Sequence, residues 1–224
     1  MKQTIFICGT DTGVGKTVLT ALLTQFLRGR GVSVAALKPV CSGGREDAVA
    51  LHDALGGSLT LDEINPWHFR ADVAPALAAR REKKTVALGP VLAHIRAMRR
   101  KVAVTLVEGA GGLLSPLGKG FDARDLLSAL RAAPIIVAPN KLGAVNHVRL
   151  TLEALPKPLR TRAKVVLVCP PEPDSAAASN AELLQSFLAR GKLFMLPWFG
   201  RSFSVADILK KSAARRMLAA LLRI

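Results

Sequence analysis

Residues 4–17, TIFICGTDTGVGKT, constrain this chain more than any other stretch. The apolar run Ile5-Phe6-Ile7-Cys8 halts at Gly9, and a turn of glycines and small polar residues follows. After Gly15-Lys16-Thr17, apolar residues recur at Val18, Leu19, Ala21, Leu22 and Leu23. That succession predicts a strand, a phosphate loop and a helix. Small residues let successive backbone N–H groups turn inward as an anion cradle, and the positive end of the following helix adds to the pull on a phosphate. Lys16 supplies a mobile charge for the outer phosphates, and the Thr17 hydroxyl is of the kind that binds Mg2+. The loop is a variant. Counting back from Gly15, the usual spacing places its first glycine where this chain has Thr10, and Gly9 comes one residue early.

Further strands are predicted over 32–37, 102–107, 134–138, 164–168 and 192–196. Helices are predicted over 46–55, 76–83, 90–100, 122–132, 145–155 and 179–190. Residues 41–44 read as a loop and 58–75 as irregular. Ser204-Val205-Ala206-Asp207 reads as a capping box opening one or two terminal helices with a basic outer face. Strands that are continuous apolar runs, alternating with helices, predict an α/β fold: a mostly parallel sheet with helices on both faces. Ligands of such folds bind beyond the carboxyl ends of the strands. No linker or internal repeat divides residues 1–224, so one domain is expected.

The formal charge of +16 raises nucleic acid or an anionic membrane as partners. The positive clusters (Arg80-Arg81, Lys83-Lys84, Arg99-Arg100-Lys101, Lys210-Lys211, Arg215-Arg216) are spread along the chain, and no aromatic residues interleave with them as a stacking platform. They read as solvated faces, with neither nucleic acid nor membrane expected. No apolar stretch reaches the roughly 20 residues of a membrane span, and the first residues enter a strand without a signal-peptide layout. A cytoplasmic protein is expected. Cys8, Cys41 and Cys169 lack metal-ligand spacing and read as buried or half-buried thiols.

Three further residues lie where chemistry belongs. Lys38 ends a predicted strand beside the phosphate loop, where an ammonium can stabilise a transferring phosphoryl group. Glu108 ends another strand ahead of a glycine-rich turn and is placed to hold Mg2+. Asp47 opens a helix, either as a second carboxylate on the metal side or as a partner of the helix dipole.

The segments GTDTGVGKT (9–17), LKPVCSG (37–43), EDAVAL (46–51), NPWHF (65–69), VEGAGG (107–112), KLGAVNH (141–147) and LPW (196–198) together resemble dethiobiotin synthetase. They come in that family's order and cover most of the chain. The resemblance implies a three-layer fold like that of P-loop NTPases and a homodimer. The implied activity is that of a Mg2+- and ATP-dependent cyclo-ligase of biotin synthesis, converting 7,8-diaminononanoate and CO2 (or bicarbonate) to dethiobiotin. Carried over to this sequence, Thr12, Gly13, Val14, Gly15, Lys16 and Thr17 wrap the phosphates. Thr17, Asp47 and Glu108 serve the metal, and Lys16 and Lys38 are catalytic. Glu108, Gly109, Ala110 and Gly111 line the nucleotide and substrate pocket. Ser42 contacts the diamine or its carbamate, and Gly143, Ala144, Val145 and Asn146 receive the substrate carboxylate from the other subunit. Where the family carries an adenine-binding Asn, this chain has Cys169-Pro170. Base recognition is then expected from backbone groups near Cys169 and from Pro197, Trp198 and Phe199.

Overall fold

The structure, a computed structural model, describes residues 2–200 and 204–222. In chain order, β1 (Gln3–Gly9) leads through the phosphate loop into α1 (Lys16–Arg28), then β2 (Val34–Leu37), β3 (Val40–Ser42), α2 (Glu46–Ala54), α3 (Leu61–Ile64) and β4 (Trp67–Phe69). Next come α4 (Pro75–Arg81), α5 (Leu88–Lys101), β5 (Val104–Gly112), the hairpin strands β6 (Pro116–Gly118) and β7 (Phe121–Asp122), α6 (Ala123–Leu130) and β8 (Ala133–Pro139). The chain continues with α7 (Ala144–Ala154), α8 (Lys157–Arg160), β9 (Lys164–Val168), α9 (Ala177–Gln185), β10 (Leu193–Leu196), α10 (Val205–Lys210) and α11 (Ser212–Leu222).

Six strands form one parallel sheet in the order β10-β9-β8-β1-β5-β2. The period-two alternation of β1 separates two cores. Ile5 and Ile7 face a layer built by Leu19, Leu22, Leu23 and Phe26 of α1 with Leu218 and Leu221 of α11. Phe6 and Cys8 face the opposite layer, with Ile95 of α5, Leu127 of α6, Val148 of α7 and Leu184 of α9. Each such Ile, Leu, Val or Phe side chain, fully buried, contributes about 1.5–3 kcal/mol. Because β1 is apolar on both faces it sits inside the sheet, between β5 and β8, and its carboxyl end delivers the phosphate loop to the middle of one sheet edge.

Several expectations are corrected. The strand predicted over 102–107 runs instead from Val104 to Gly112, so Glu108 lies inside β5 rather than at its end. The glycines after it carry no side chain that would stop the backbone pairing with β1, and Gly112 lies opposite Gly9 across a register shift. Residues 41–44 are not all loop, because Cys41 and Ser42 belong to β3, which pairs in parallel with β4. The stretch 58–75 is not irregular throughout. It holds β4 and also α3, closed by a capping box between Thr60 and Glu63. The capping box expected at 204–207 is absent: Ser204 Oγ accepts from the Ala206 N–H at 3.2 Å, while Asp207 turns to Lys210. The basic pairs of α4, α10 and α11 are solvent-exposed. Among the described residues no helix is long and apolar enough to cross a membrane.

Candidate active site

The phosphate loop is held in shape by its own lysine. Lys16 Nζ curls back to donate to the Asp11 carbonyl at 2.8 Å, and the Asp11 carboxylate caps the Thr12 N–H at 2.7 Å. Gly9 makes this possible, since a Cβ there would lie 2.6 Å from the Asp11 carbonyl oxygen and 3.0 Å from Lys16 Nζ. Gly15, at φ 96°, turns the chain into α1, which has no side-chain cap and no acid in its first turn. The helix therefore presents unsatisfied N–H groups and a positive end at the loop, which suits an anion.

Lys38 follows β2 directly and is 5% exposed. Its ammonium contacts the Asp47 carboxylate and lies 3.0 Å from Glu108 Oε1. Burial pushes the Lys38 pKa down, but Glu108 and Asp47 together outweigh it and hold the group above the ordinary lysine range. For Asp47, burial raises the pKa, but the Lys38 ammonium and the Thr17 hydroxyl together outweigh it and leave the carboxyl below its usual range. Lys16 lacks such a close acid. Burial first, then repulsion from Lys38, lowers its pKa, and an anionic ligand between the two ammoniums would relieve both effects.

Thr17 Oγ1 donates to Glu108 Oε1 at 2.7 Å. Glu108 is 1% exposed, and its other oxygen, Oε2, is buried without a hydrogen-bond partner. An orphaned carboxylate oxygen next to a hydroxyl and a second carboxylate is an all-oxygen donor set of the kind a hard cation such as Mg2+ takes. The residues present fit the ion.

Lys16, Thr17, Lys38 and Asp47 open onto one cleft of about 540 Å3. Of the residues singled out from sequence, Thr12, Gly13, Gly15, Lys16, Thr17, Lys38, Ser42, Asp47, Ala110 and Gly111 line it. Val14, Glu108 and Gly109 lie buried beneath. Cys169 and Pro170 follow β9, and Pro197, Trp198 and Phe199 follow β10, outside this cleft. They stand at the same sheet edge as the loop, for a Cβ on Gly15 would meet Val168 at 3.1 Å. The Cys169 N–H is already spent on the Leu196 carbonyl at 2.8 Å, so it is not available to a base. Gly143, Val145 and Asn146 line a separate groove between α7 and α9, and Ala144 is buried.

Sequence reasoning missed the far wall of the cleft, where Asp72, Val73, Ala74 and Pro75 face Ser42. The Ser42 hydroxyl donates to the Val73 carbonyl, and Gly43 N–H donates to the Ala71 carbonyl at 3.2 Å. No spacing in the sequence marks Asp72. It reaches the cleft only because β3 and β4 pair. Ser115, three residues past Gly112, accepts from its N–H at 2.9 Å and lines the cleft, and it was also missed.

Residues 3–219 match the family model described as an AAA domain. Solved structures with this fold include a ParA family ATPase from Chlorobium tepidum TLS (TM-score 0.61, 12% identity, all of both chains covered). Another is the pNOB8 ParA bound to nonspecific DNA (TM-score 0.59, 13% identity, 100% of this chain and 98% of that one). At such identities the likeness concerns the fold alone: a three-layer α/β P-loop architecture. Sequence relatives are nearer. The ATP-dependent dethiobiotin synthetase BioD of Anaeromyxobacter dehalogenans strain 2CP-C is 40% identical over 199 residues, 87% of this chain and 89% of that protein. The protein of the same name from Methanococcus vannielii is 35% identical over 165 residues, 74% of this chain and 78% of its own length. With relatives this similar over most of both lengths, the chain belongs to the ATP-dependent dethiobiotin synthetase family.

Proposed function

We propose that this chain is a dethiobiotin synthetase, a ligase of biotin synthesis that uses MgATP to close 7,8-diaminononanoate and CO2 into a cyclic urea. The observation that carries the reading is the single cleft in which the phosphate loop, Lys38 and Ser42 stand together. One amine of the diamine adds to CO2 and loses a proton, giving a carbamate. The carbamate oxygen takes the γ-phosphoryl group of ATP and ADP leaves. The second amine then attacks the carbonyl carbon and phosphate departs, forming the ring.

This chemistry needs positioning and charge stabilisation more than a protein nucleophile. Thr12, Gly13, Val14, Gly15, Lys16 and Thr17 wrap the phosphates. Lys16 and Lys38 stand on the two sides of the transferring group, and Lys38, held cationic by its carboxylate neighbours, stabilises the charge on carbamate and phosphoryl oxygens. Ser42 orients the diamine or its carbamate, with Ala110 and Gly111 as the opposite wall. Thr17, Asp47 and Glu108 would hold Mg2+, which when bound neutralises charge on the outer phosphates. Pro197, Trp198 and Phe199, with Cys169 and Pro170, shape the place of the base. The active form is a homodimer in the cytoplasm, with Gly143, Ala144, Val145 and Asn146 serving the neighbouring subunit's substrate.

The test is direct. The protein is incubated with 7,8-diaminononanoate, bicarbonate and MgATP, and dethiobiotin is sought by mass together with released phosphate. Product that requires all three is expected. Phosphate release that ignores the diamine, with no dethiobiotin formed, overturns the reading.

A further inference from the structure

We infer that Asn65 is a positioning residue whose side chain locks the Lys38 backbone to the start of the helix carrying Asp47. The inference rests on the proposed role of Lys38. Asn65 follows α3 and opens the NPWHF segment, and it is 1% exposed. Its Nδ2 donates to the Lys38 carbonyl at 2.7 Å. Its Oδ1 accepts from Arg45 Nε and from Cys41 Sγ, each at 3.3 Å. The chemistry fixes the orientation of the amide, because a carbonyl can only accept and a guanidinium can only donate.

The main chain tightens the same knot. Lys38 N–H donates to the Ile64 carbonyl at 3.0 Å, and Trp67 N–H donates to the Pro39 carbonyl at 3.0 Å. Lys38 lies between the end of β2 and Pro39, so the Ile64-Asn65 pair takes over where the sheet ladder stops. On the other side, Arg45 immediately precedes α2, in whose first turn Asp47 sits. The Arg45 guanidinium also donates to the Asn65 carbonyl at 3.0 Å and to the Leu61 carbonyl at 3.1 Å. One buried amide thus joins the backbone of the proposed catalytic lysine to the helix start that aims its carboxylate partner. A four-carbon lysine stem is flexible, so its charge is only as well placed as its backbone and its partner.

Asn65→Asp breaks the link: it has nearly the same shape and keeps an acceptor toward Arg45 and Cys41, but it puts a carboxylate oxygen, which cannot donate and repels, where Nδ2 donates to the Lys38 carbonyl. The single variants and the double variant with Lys38→Met are compared in the dethiobiotin-forming assay, with MgATP affinity and thermal unfolding measured alongside. Expected for N65D is a fall in kcat of roughly 10- to 100-fold, as for small misplacements of a reacting group, with MgATP affinity unchanged. In the K38M background N65D should change turnover by no more than about twofold, since a positioning group has nothing left to position. Equal fold-losses in both backgrounds would mean a purely structural role and overturn the inference. So would normal turnover in N65D while K38M is inactive, with the reading of Lys38 left standing. Normal turnover in K38M itself would instead remove that reading. If N65D does not fold, Asn65→Ser goes through the same cycle, and failure of both to fold assigns Asn65 to stability and rejects the inference.

Discussion

Thr17 and Glu108 lie on different strand–loop units, yet the Thr17 hydroxyl donates a 2.7 Å hydrogen bond to Glu108 Oε1. The same oxygen faces Lys38 Nζ at 3.0 Å, while Oε2 is buried with no partner. Leaving a buried charged oxygen unsatisfied is costly, and a divalent cation seated beside Thr17 would relieve that cost.

Glu108→Gln preserves the shape and removes the charge. Turnover should fall at least about 100-fold, the scale for losing a charge-stabilising group. Nucleotide affinity should also lose most of its dependence on Mg2+. Titrating ATP analogues with and without Mg2+ reads the second effect independently of catalysis. Normal turnover together with an intact Mg2+ dependence would remove Glu108 from the metal site.

Cys8 offers a test of the core. Its thiol is 1% exposed in β1 and donates to the Ile135 carbonyl. Burial pushes its pKa up to about 12, against a smaller opposing pull from Lys16. In the unfolded chain a thiol ionises near pH 8.5. Between those values the unfolded state loses a proton that the folded state keeps, so stability falls as pH rises. The advantage of the natural protein over Cys8→Ala should be constant below about pH 8. Above it, that advantage should shrink by up to about 1.4 kcal/mol per pH unit. Denaturant unfolding of both proteins from pH 7 to 10.5 checks this, and a gap that does not change with pH would contradict it.

The central features were legible because they are local. Ile5-Phe6-Ile7-Cys8 stopping at Gly9 could only be a buried strand meeting a turn, and Lys38 and Glu108 stood out as charges after apolar runs. What was not legible depends on pairing between distant short segments. β3 and β4 have three residues each, too few to show a period, yet their parallel pairing (Val40 opposite Trp67) brings Asp72 and Val73 to the cleft wall. The position of Glu108 inside β5 was hidden because glycines read as turn, although next to β1 they extend the strand. At Ser204 the residue types fit a capping box, but Asp207 is drawn to Lys210 instead.

Base selection should be loose. The Cys169 N–H is committed to Leu196, and Pro170 has none. The Asn140 side chain nearby is 3% exposed and turned to the Ala177 carbonyl and to Asn180, each at 3.0 Å. A specific hydrogen bond is worth about 0.5–1.5 kcal/mol, so CTP, GTP and UTP should each support turnover with kcat/KM within about tenfold of ATP per bond missing. A nucleotide panel in which ATP leads all others by several orders of magnitude would show that another group reads the base.

The last prediction concerns the groove between α7 and α9. Gly143, at φ 88°, precedes α7 without a side-chain cap, and the first turn of α7 holds no acid. Beside this positive helix end, Leu142 is 78% exposed, Leu150 61% and Leu183 50%. An uncapped helix start bordered by exposed leucines suits a substrate with a carboxylate at the end of an apolar chain and a second copy of this chain covering the leucines, though the Ala144 N–H already donates to the Lys141 carbonyl and the Asp174 carboxylate takes the Leu142 N–H. The groove is separate from the cleft of its own chain, so the shared arrangement requires that each cleft be completed by its neighbour. Asn146 is exposed in the first turn, so Asn146→Glu adds a repelling charge without touching the core, whereas Ala144 is 1% exposed and a substitution there would disturb packing. N146E should raise the KM for 7,8-diaminononanoate by roughly tenfold or more through like-charge repulsion, with MgATP binding unchanged. Mixing N146E with K38M then decides the matter. Each homodimer should be impaired, and the mixed dimer should regain one site built from an intact Lys38 on one subunit and an intact α7 start on the other. Verified mixed dimers with no recovery, or full activity in a monomer, would exclude the shared site.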